Sequence, residues 1–212
     1  MNLKIFTEPT EEPISLYFAK LHLRVDSNAE DSIITDLIIA SRRLAEKFTS
    51  RVFITQTWDL FLDEFPQNRN RRDSEWWDGV REGPINFLNQ TLRSIGISRS
   101  PLQTVTFLKT IDDSNTEFTF AASNYFVDVN SEPGRLSLKT GVVWPTTILR
   151  PTSGIQIRFV AGYGVANTVP REITQAMFIM ITHLYEHKGD ESETMPSNAL
   201  MLLDKYRLKR II

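Results

Sequence analysis

Apolar positions recur at three- and four-residue spacing near both ends of the chain and at every second position through its middle. Ser15 can cap a short helix over residues 16–25 that sets Leu16, Ala19 and Leu23 on one face. Ser27-Asn28-Ala29-Glu30 fits a capping box, in which the Ser hydroxyl and the Glu carboxylate each satisfy an orphan amide at a helix start. The helix it opens carries Ile33, Leu37, Leu44 and Phe48, with Ile34, Ile38 and Ala45 beside them. Arg42, Arg43, Glu46 and Lys47 fall mostly on the other side, and the helix should stop near Thr49 to Arg51.

The period then changes to two. Trp58, Leu60 and Leu62 share one face of a strand over residues 57–62. Further strands are predicted over 104–108, 117–120, 125–129, 135–138 and 155–160. Turn signals separate them: Asp112-Asp113-Ser114-Asn115, Glu132-Pro133-Gly134 and Pro151-Thr152-Ser153-Gly154. Strands this close in sequence favour antiparallel hairpins, because parallel pairs need long crossovers.

Helical spacing returns after Val169. Pro170 suits a first turn and Glu172 its positive end. Ile173, Ala176, Met177, Met180, Ile181 and Leu184 form a stripe, while Phe178, Ile179 and Tyr185 lie outside it, so this helix needs two covered faces. A polar linker over 188–194 precedes Pro196-Ser197 and a last helix with Leu200, Leu203 and Tyr206. The final stretch, Arg207-Leu208-Lys209-Arg210-Ile211-Ile212, alternates cation and aliphatic.

The chain has 212 residues, which at about 150 residues per domain favours one domain with an elaboration. Apolar residues make up 41% and charged residues 24%, a globular balance. Lys and Arg number 24 against 26 Asp and Glu, a net charge of −2. That balance argues against coating nucleic acid by bulk charge. The absence of cysteine excludes disulfides, zinc–thiolate sites, iron–sulfur clusters and cysteine nucleophiles. The first residues turn acidic before any signal-peptide-like run, and no apolar stretch approaches the roughly 20 residues of a membrane span. The expectation is a soluble, cytoplasm-compatible protein.

Three patterns could carry chemistry. His183-Leu184-Tyr185-Glu186-His187 satisfies the H-x-x-E-H string of inverted zinc peptidases. A zinc hydrolase also needs a third ligand and an open position for water. His22 is the only other histidine, and Glu191 and Glu193 would have to fold back from the linker; the plainer reading is the polar edge of a packed helix. Gly162-Tyr163-Gly164 lies where phosphate loops occur but lacks the third glycine of a dinucleotide fingerprint and the lysine of a P-loop, which leaves a tight turn. Arg69, Arg71 and Arg72 precede Trp76 and Trp77, a cation–aromatic mixture that can meet DNA or a partner, although Asp73, Glu75 and Asp78 cancel much of the field. No nucleophile elbow or placed carboxylate pair appears. The residues alone define an α+β interaction module with no catalytic centre, metal site or cofactor site.

Several stretches in order resemble the head–tail connector (adaptor, or head-completion) proteins of long-tailed bacteriophages and phage-derived particles. They are Ile14-Ser15-Leu16 through Ala19-Lys20-Leu21-His22-Leu23-Arg24-Val25-Asp26, and Leu37-Ile38-Ile39-Ala40 through Arg51-Val52-Phe53-Ile54-Thr55-Gln56-Thr57-Trp58. Ser100-Pro101-Leu102-Gln103-Thr104-Val105, Tyr125-Phe126-Val127-Asp128 and Pro133-Gly134-Arg135-Leu136 follow. Phe159-Val160-Ala161-Gly162-Tyr163-Gly164 then leads to the His183-Leu184-Tyr185-Glu186 helix, and Leu202-Leu203 and Tyr206-Arg207 to the last one.

The resemblance implies a helical bundle built from both chain ends (residues 1–51 and 168–212) with a mainly antiparallel β region (52–167) inserted in a single connector domain. It implies no enzyme activity, but a subunit made in a bacterial host and placed in the virion neck. There, about twelve copies would ring the portal protein. The ring would extend the channel through which DNA passes and present a dock for the next head-completion (stopper) or tail protein. In this family the last helix and the segment after it engage the portal. The matching residues here are Leu203, Tyr206, Arg207, Lys209, Arg210, Ile211 and Ile212, with the cations pairing with portal acids and the isoleucines anchoring in apolar contacts. The Arg69, Arg71, Arg72, Trp76 and Trp77 stretch matches least and is expected to be a channel or partner loop.

Overall fold

The computed structural model describes residues 2–66, 93–187 and 195–208. The chain is α+β and clusters into two compact units. One contains Thr7–Gln56, Arg99–Pro101 and Ala161–Ile212; the other contains Met1–Phe6, Thr57–Ser98 and Leu102–Val160.

The helical unit holds α1 (Leu16–Leu23), α2 (Asp31–Thr49), α3 (Arg171–Glu186) and α4 (Ser197–Asp204). α1 starts where Ser15 predicts: its hydroxyl accepts from the Phe18 amide, and Arg24 closes the helix in the left-handed region. The capping box does not form. Ser27 Oγ accepts from Ala29 N, two residues on, and α2 begins at Asp31 with Glu30 in the capping place and no side-chain cap. The Ser27 hydroxyl is thus taken by a local turn in place of a helix amide.

α2 packs on α3, α3 on α4 and α1 on α2. Ile34, Ile38 and Ala45 of α2 meet Ile173, Ala176, Met177, Met180 and Ile181 of α3 and Ala199 and Leu203 of α4 in one core. The sequence expectation for the polar side of α2 fails at two positions. Arg43 and Lys47 are exposed, but Arg42 and Glu46 are buried, because the stripe that begins at Ile34 continues through Ser41, Arg42, Ala45, Glu46 and Thr49. The two charges neutralise one another inside.

The other unit is built from strands. A five-stranded sheet runs in the order β1 (Asn2–Thr7), β2 (Gln56–Leu62), β8 (Ile155–Ala161), β4 (Leu102–Ile111) and β5 (Glu117–Phe120). A three-stranded sheet orders β3 (Ser94–Gly96), β7 (Arg135–Leu138) and β6 (Tyr125–Asp128). The predicted hairpins are antiparallel: Leu108 faces Phe120 across β4 and β5, and Val127 faces Leu136 across β6 and β7. β8 shows the clearest alternation, with Ile155, Ile157 and Phe159 buried and Gln156, Arg158 and Val160 less so. Strands β1 and β3 have no counterpart in the sequence reading.

Candidate functional site

The segment expected to meet a partner leaves α4 and is tied to the end of α2. Thr49 is the last residue of α2, so its carbonyl lacks an intrahelical donor; the Leu208 amide supplies one at 3.0 Å. Arg51 Nε donates to the Tyr206 carbonyl, and the Arg207 guanidinium lies 4.9 Å from the Phe48 ring centre. Two cations thereby gather at the negative end of the α2 dipole. The Tyr206 hydroxyl donates to Glu172 Oε2 at 2.9 Å. That carboxyl is held below the usual glutamate range by its own backbone amide at the start of α3 and by the Tyr206 hydroxyl. The Tyr206 phenol is raised by burial and by the same carboxylate.

This places the predicted residues in different settings. Leu203 is fully buried in the helical core, where it packs inside the unit. Tyr206 is half-buried and Arg207 exposed. Lys209, Arg210, Ile211 and Ile212 lie outside the described residues, as do Arg69, Arg71, Arg72, Trp76 and Trp77.

A buried ionic cluster organises the same unit. Arg42 donates from Nε and NH2 to the two carboxylate oxygens of Glu12 at 2.7 and 3.2 Å, and from NH1 to Glu46 Oε2 at 3.0 Å. The other oxygen of Glu46 accepts from the Phe53 amide at 2.8 Å and from Gln56 Nε2 at 3.1 Å. Arg99 NH1 donates to the Glu46 carbonyl at 3.2 Å. Burial pushes the Glu46 carboxyl above its ordinary value, opposed by the Phe53 amide and by Arg42. Burial lowers the Arg99 guanidinium. Sequence reasoning missed this cluster because Glu12, Arg42 and Arg99 are far apart in the chain. The signal available was an Arg and a Glu four residues apart on a helix.

Gly162-Tyr163-Gly164 is a turn. Gly162 sits at φ 133° and Gly164 at φ 125°, and a Cβ on Gly162 would fall 2.7 Å from the Ile54 carbonyl carbon. The H-x-x-E-H residues lie at the end of α3, where the His183 and His187 rings stand 4.4 Å apart. His187 Nδ1 is 2.9 Å from the His183 carbonyl, and His22 packs against the Phe178 ring at 4.8 Å. Among the described residues, no three His, Cys, Asp or Glu side chains come together to hold a metal ion. Glu191 and Glu193 fall outside them. Among the same residues, no helix is long and apolar enough to cross a membrane.

No protein-family model matches the chain, and no curated protein matches it. Solved structures do, over its whole length. The likeness is one of fold: this α+β chain superposes on chains of particle structures. The structures are those of gene transfer agent (GTA) particles. In the neck of an empty GTA particle, computed with C6 symmetry, a chain superposes with a TM-score of 0.77 at 20% identity. A chain in the virion of a native GTA particle gives 0.76 at 21%, and one in the neck of a native particle computed with C12 symmetry gives 0.71 at 20%. In all three, 100% of this chain and 98% of the other are covered.

Proposed function

We propose that this chain is a structural head–tail connector (adaptor) of a tailed phage or phage-like particle. The observation that supports this most is the end-to-end superposition on chains of GTA necks, with 98% of each of those chains matched. The likeness runs over the whole of this chain and is not confined to one of its units. In this reading copies form a ring beneath the portal protein, continue the DNA channel, and offer the dock for the stopper or tail protein. The C6 and C12 symmetry of the neighbouring assemblies is compatible with such a ring. A near-neutral chain also suits a channel, because strongly cationic walls would grip the sliding phosphates.

Portal contact is assigned to Arg207, Lys209, Arg210, Ile211 and Ile212, with Tyr206 holding their base; Leu203 acts only as a core anchor. Arg69, Arg71, Arg72, Trp76 and Trp77 are assigned to the channel or a partner. The zinc-hydrolase alternative has no observation in its favour beyond the sequence string itself. Disrupting the gene in the producing bacterium tests the role: filled heads without tails should accumulate. Normal tailed particles lacking this chain would refute it.

A further inference from the structure

The histidine pair at the end of α3, which a connector role does not use, has the spacing of a chelate. His183 and His187 are one helical turn apart, so both side chains leave the same face of α3. Their ring centres stand 4.4 Å apart. His183 is half-buried and His187 exposed, so solvent reaches the pair. An imidazole nitrogen binds a first-row metal ion at about 2.0–2.1 Å, and the ring centre lies about 1.1 Å further on. Two rings directed at one ion from right-angle positions therefore have centres about 4.5 Å apart, and from tetrahedral positions about 5.1 Å. The observed spacing matches the right angle. Copper(II) and nickel(II) take tetragonal or square-planar ligand sets with such angles, whereas zinc(II) in protein sites is tetrahedral.

The tautomer of His187 is set as well. Its Nδ1 lies 2.9 Å from the His183 carbonyl oxygen, which can only accept, so Nδ1 carries the proton and donates it. In the neutral ring the open lone pair is then on Nε2. Metal-bound imidazoles are ordinarily oriented in this way, one nitrogen giving its N–H to a carbonyl or carboxylate and the other binding the ion. The same carbonyl accepts from the His187 amide at 3.0 Å, so the residue is tied to the helix end twice. The charge is favourable too: the pair lies at the negative end of the α3 dipole, and the exposed Glu186 stands between the two in sequence.

We infer that His183 and His187 together chelate one divalent copper ion, through Nε2 of His187 and one ring nitrogen of His183, with water in the remaining positions. Copper(II) is the ion such a pair holds most tightly, since it heads the affinity order of the first-row divalent metals for nitrogen ligands. This is a binding site and not a hydrolytic one. Catalytic zinc sites supply three protein ligands, and among the described residues no third His, Asp or Glu joins the pair.

Titration of the full-length, untagged chain with copper(II), followed by electron paramagnetic resonance, tests this. One equivalent should bind, with the signal of a tetragonal ion carrying two nitrogen ligands. The chain has no cysteine, so no thiol competes for the ion. His183→Ala and His187→Ala should each weaken binding at least tenfold, since the second ligand no longer acts intramolecularly. His22→Ala should leave binding unchanged, because His22 packs against the Phe178 ring at 4.8 Å and is no ligand. Circular-dichroism melts check that each variant folds, and His187→Gln, a milder change at an exposed position, should give the same loss. Binding that survives in a chain carrying both His183→Ala and His187→Ala would mean an adventitious ion only and would overturn the inference. So would a parent chain that takes up no copper, or one that holds zinc more tightly than copper. None of these results bears on ring formation.

Discussion

The two units are held together in different ways. In the helical unit the decisive contacts join residues far apart in sequence: Arg51 to Tyr206, Thr49 to Leu208, Glu11 to the Ala166 amide at 2.8 Å, and Tyr185 to Glu30. These contacts join residues 11–51 to residues 166–208. In the strand-built unit much of the order is local, since β4 pairs with β5 and β6 with β7 across short turns. Each unit also has an arginine–carboxylate centre, differently exposed. Arg42 keeps 2% of its side-chain surface and Glu46 9%. Arg158 keeps 21% and Asp59 7%, and the Arg158 guanidinium lies 3.3 Å from the Phe6 ring centre. The Arg42 centre is the more deeply buried of the two; the Arg158–Asp59 pair, which joins β8 to β2 across 99 residues, is the more open.

That contrast sets the size of mutational effects. Arg42→Met should cost most, about 3–5 kcal/mol, because Glu46 and Glu12 lose their shared partner inside the fold. Urea unfolding followed by circular dichroism would measure it, and a loss under 1 kcal/mol would mean that the cluster is not organising the helical unit. Phe159→Ala removes a fully buried ring from β8 and should cost about 3–5 kcal/mol by the same measurement, through cavity formation and not through charge. Arg158→Met should cost less, about 1–3 kcal/mol: Asp59 loses both guanidinium bonds but keeps Gln156 Nε2 at 3.1 Å. If Arg158→Met proved as costly as Arg42→Met, exposure would not be what separates the two centres.

The smallest effect concerns the tie between Tyr206 and Glu172. A carboxyl held below its unfolded value contributes stability fully above that value and loses it as pH falls through the folded one. Tyr206→Phe removes the hydroxyl's share. Its melting temperature should therefore lie slightly under that of the parent at neutral pH, and the gap should close in acid. A gap that widened on acidification would show the sign to be wrong.

Much of this was legible in the sequence where the signal is local. The alternation of Ile155, Ile157 and Phe159 specifies a strand with one buried face, and the Ile173-to-Ile181 stripe specifies the core face of α3. Ser15 caps α1 through the Phe18 amide, three residues on. What escaped depends on distant partners. β1 is a mostly exposed edge strand with no hairpin mate beside it in sequence, and β3 has three residues, too few to show a period. Arg42 and Glu46 read as surface charges until Glu12 and the Phe53 amide are placed beside them.

The most direct test of the central claim is electron microscopy, with mass measurement, of the full chain mixed with the portal protein of the same particle. The account predicts a closed ring of this chain stacked coaxially on the portal, with the segment from Arg207 onward in contact with it. A chain that stays monomeric and leaves the portal bare would contradict it.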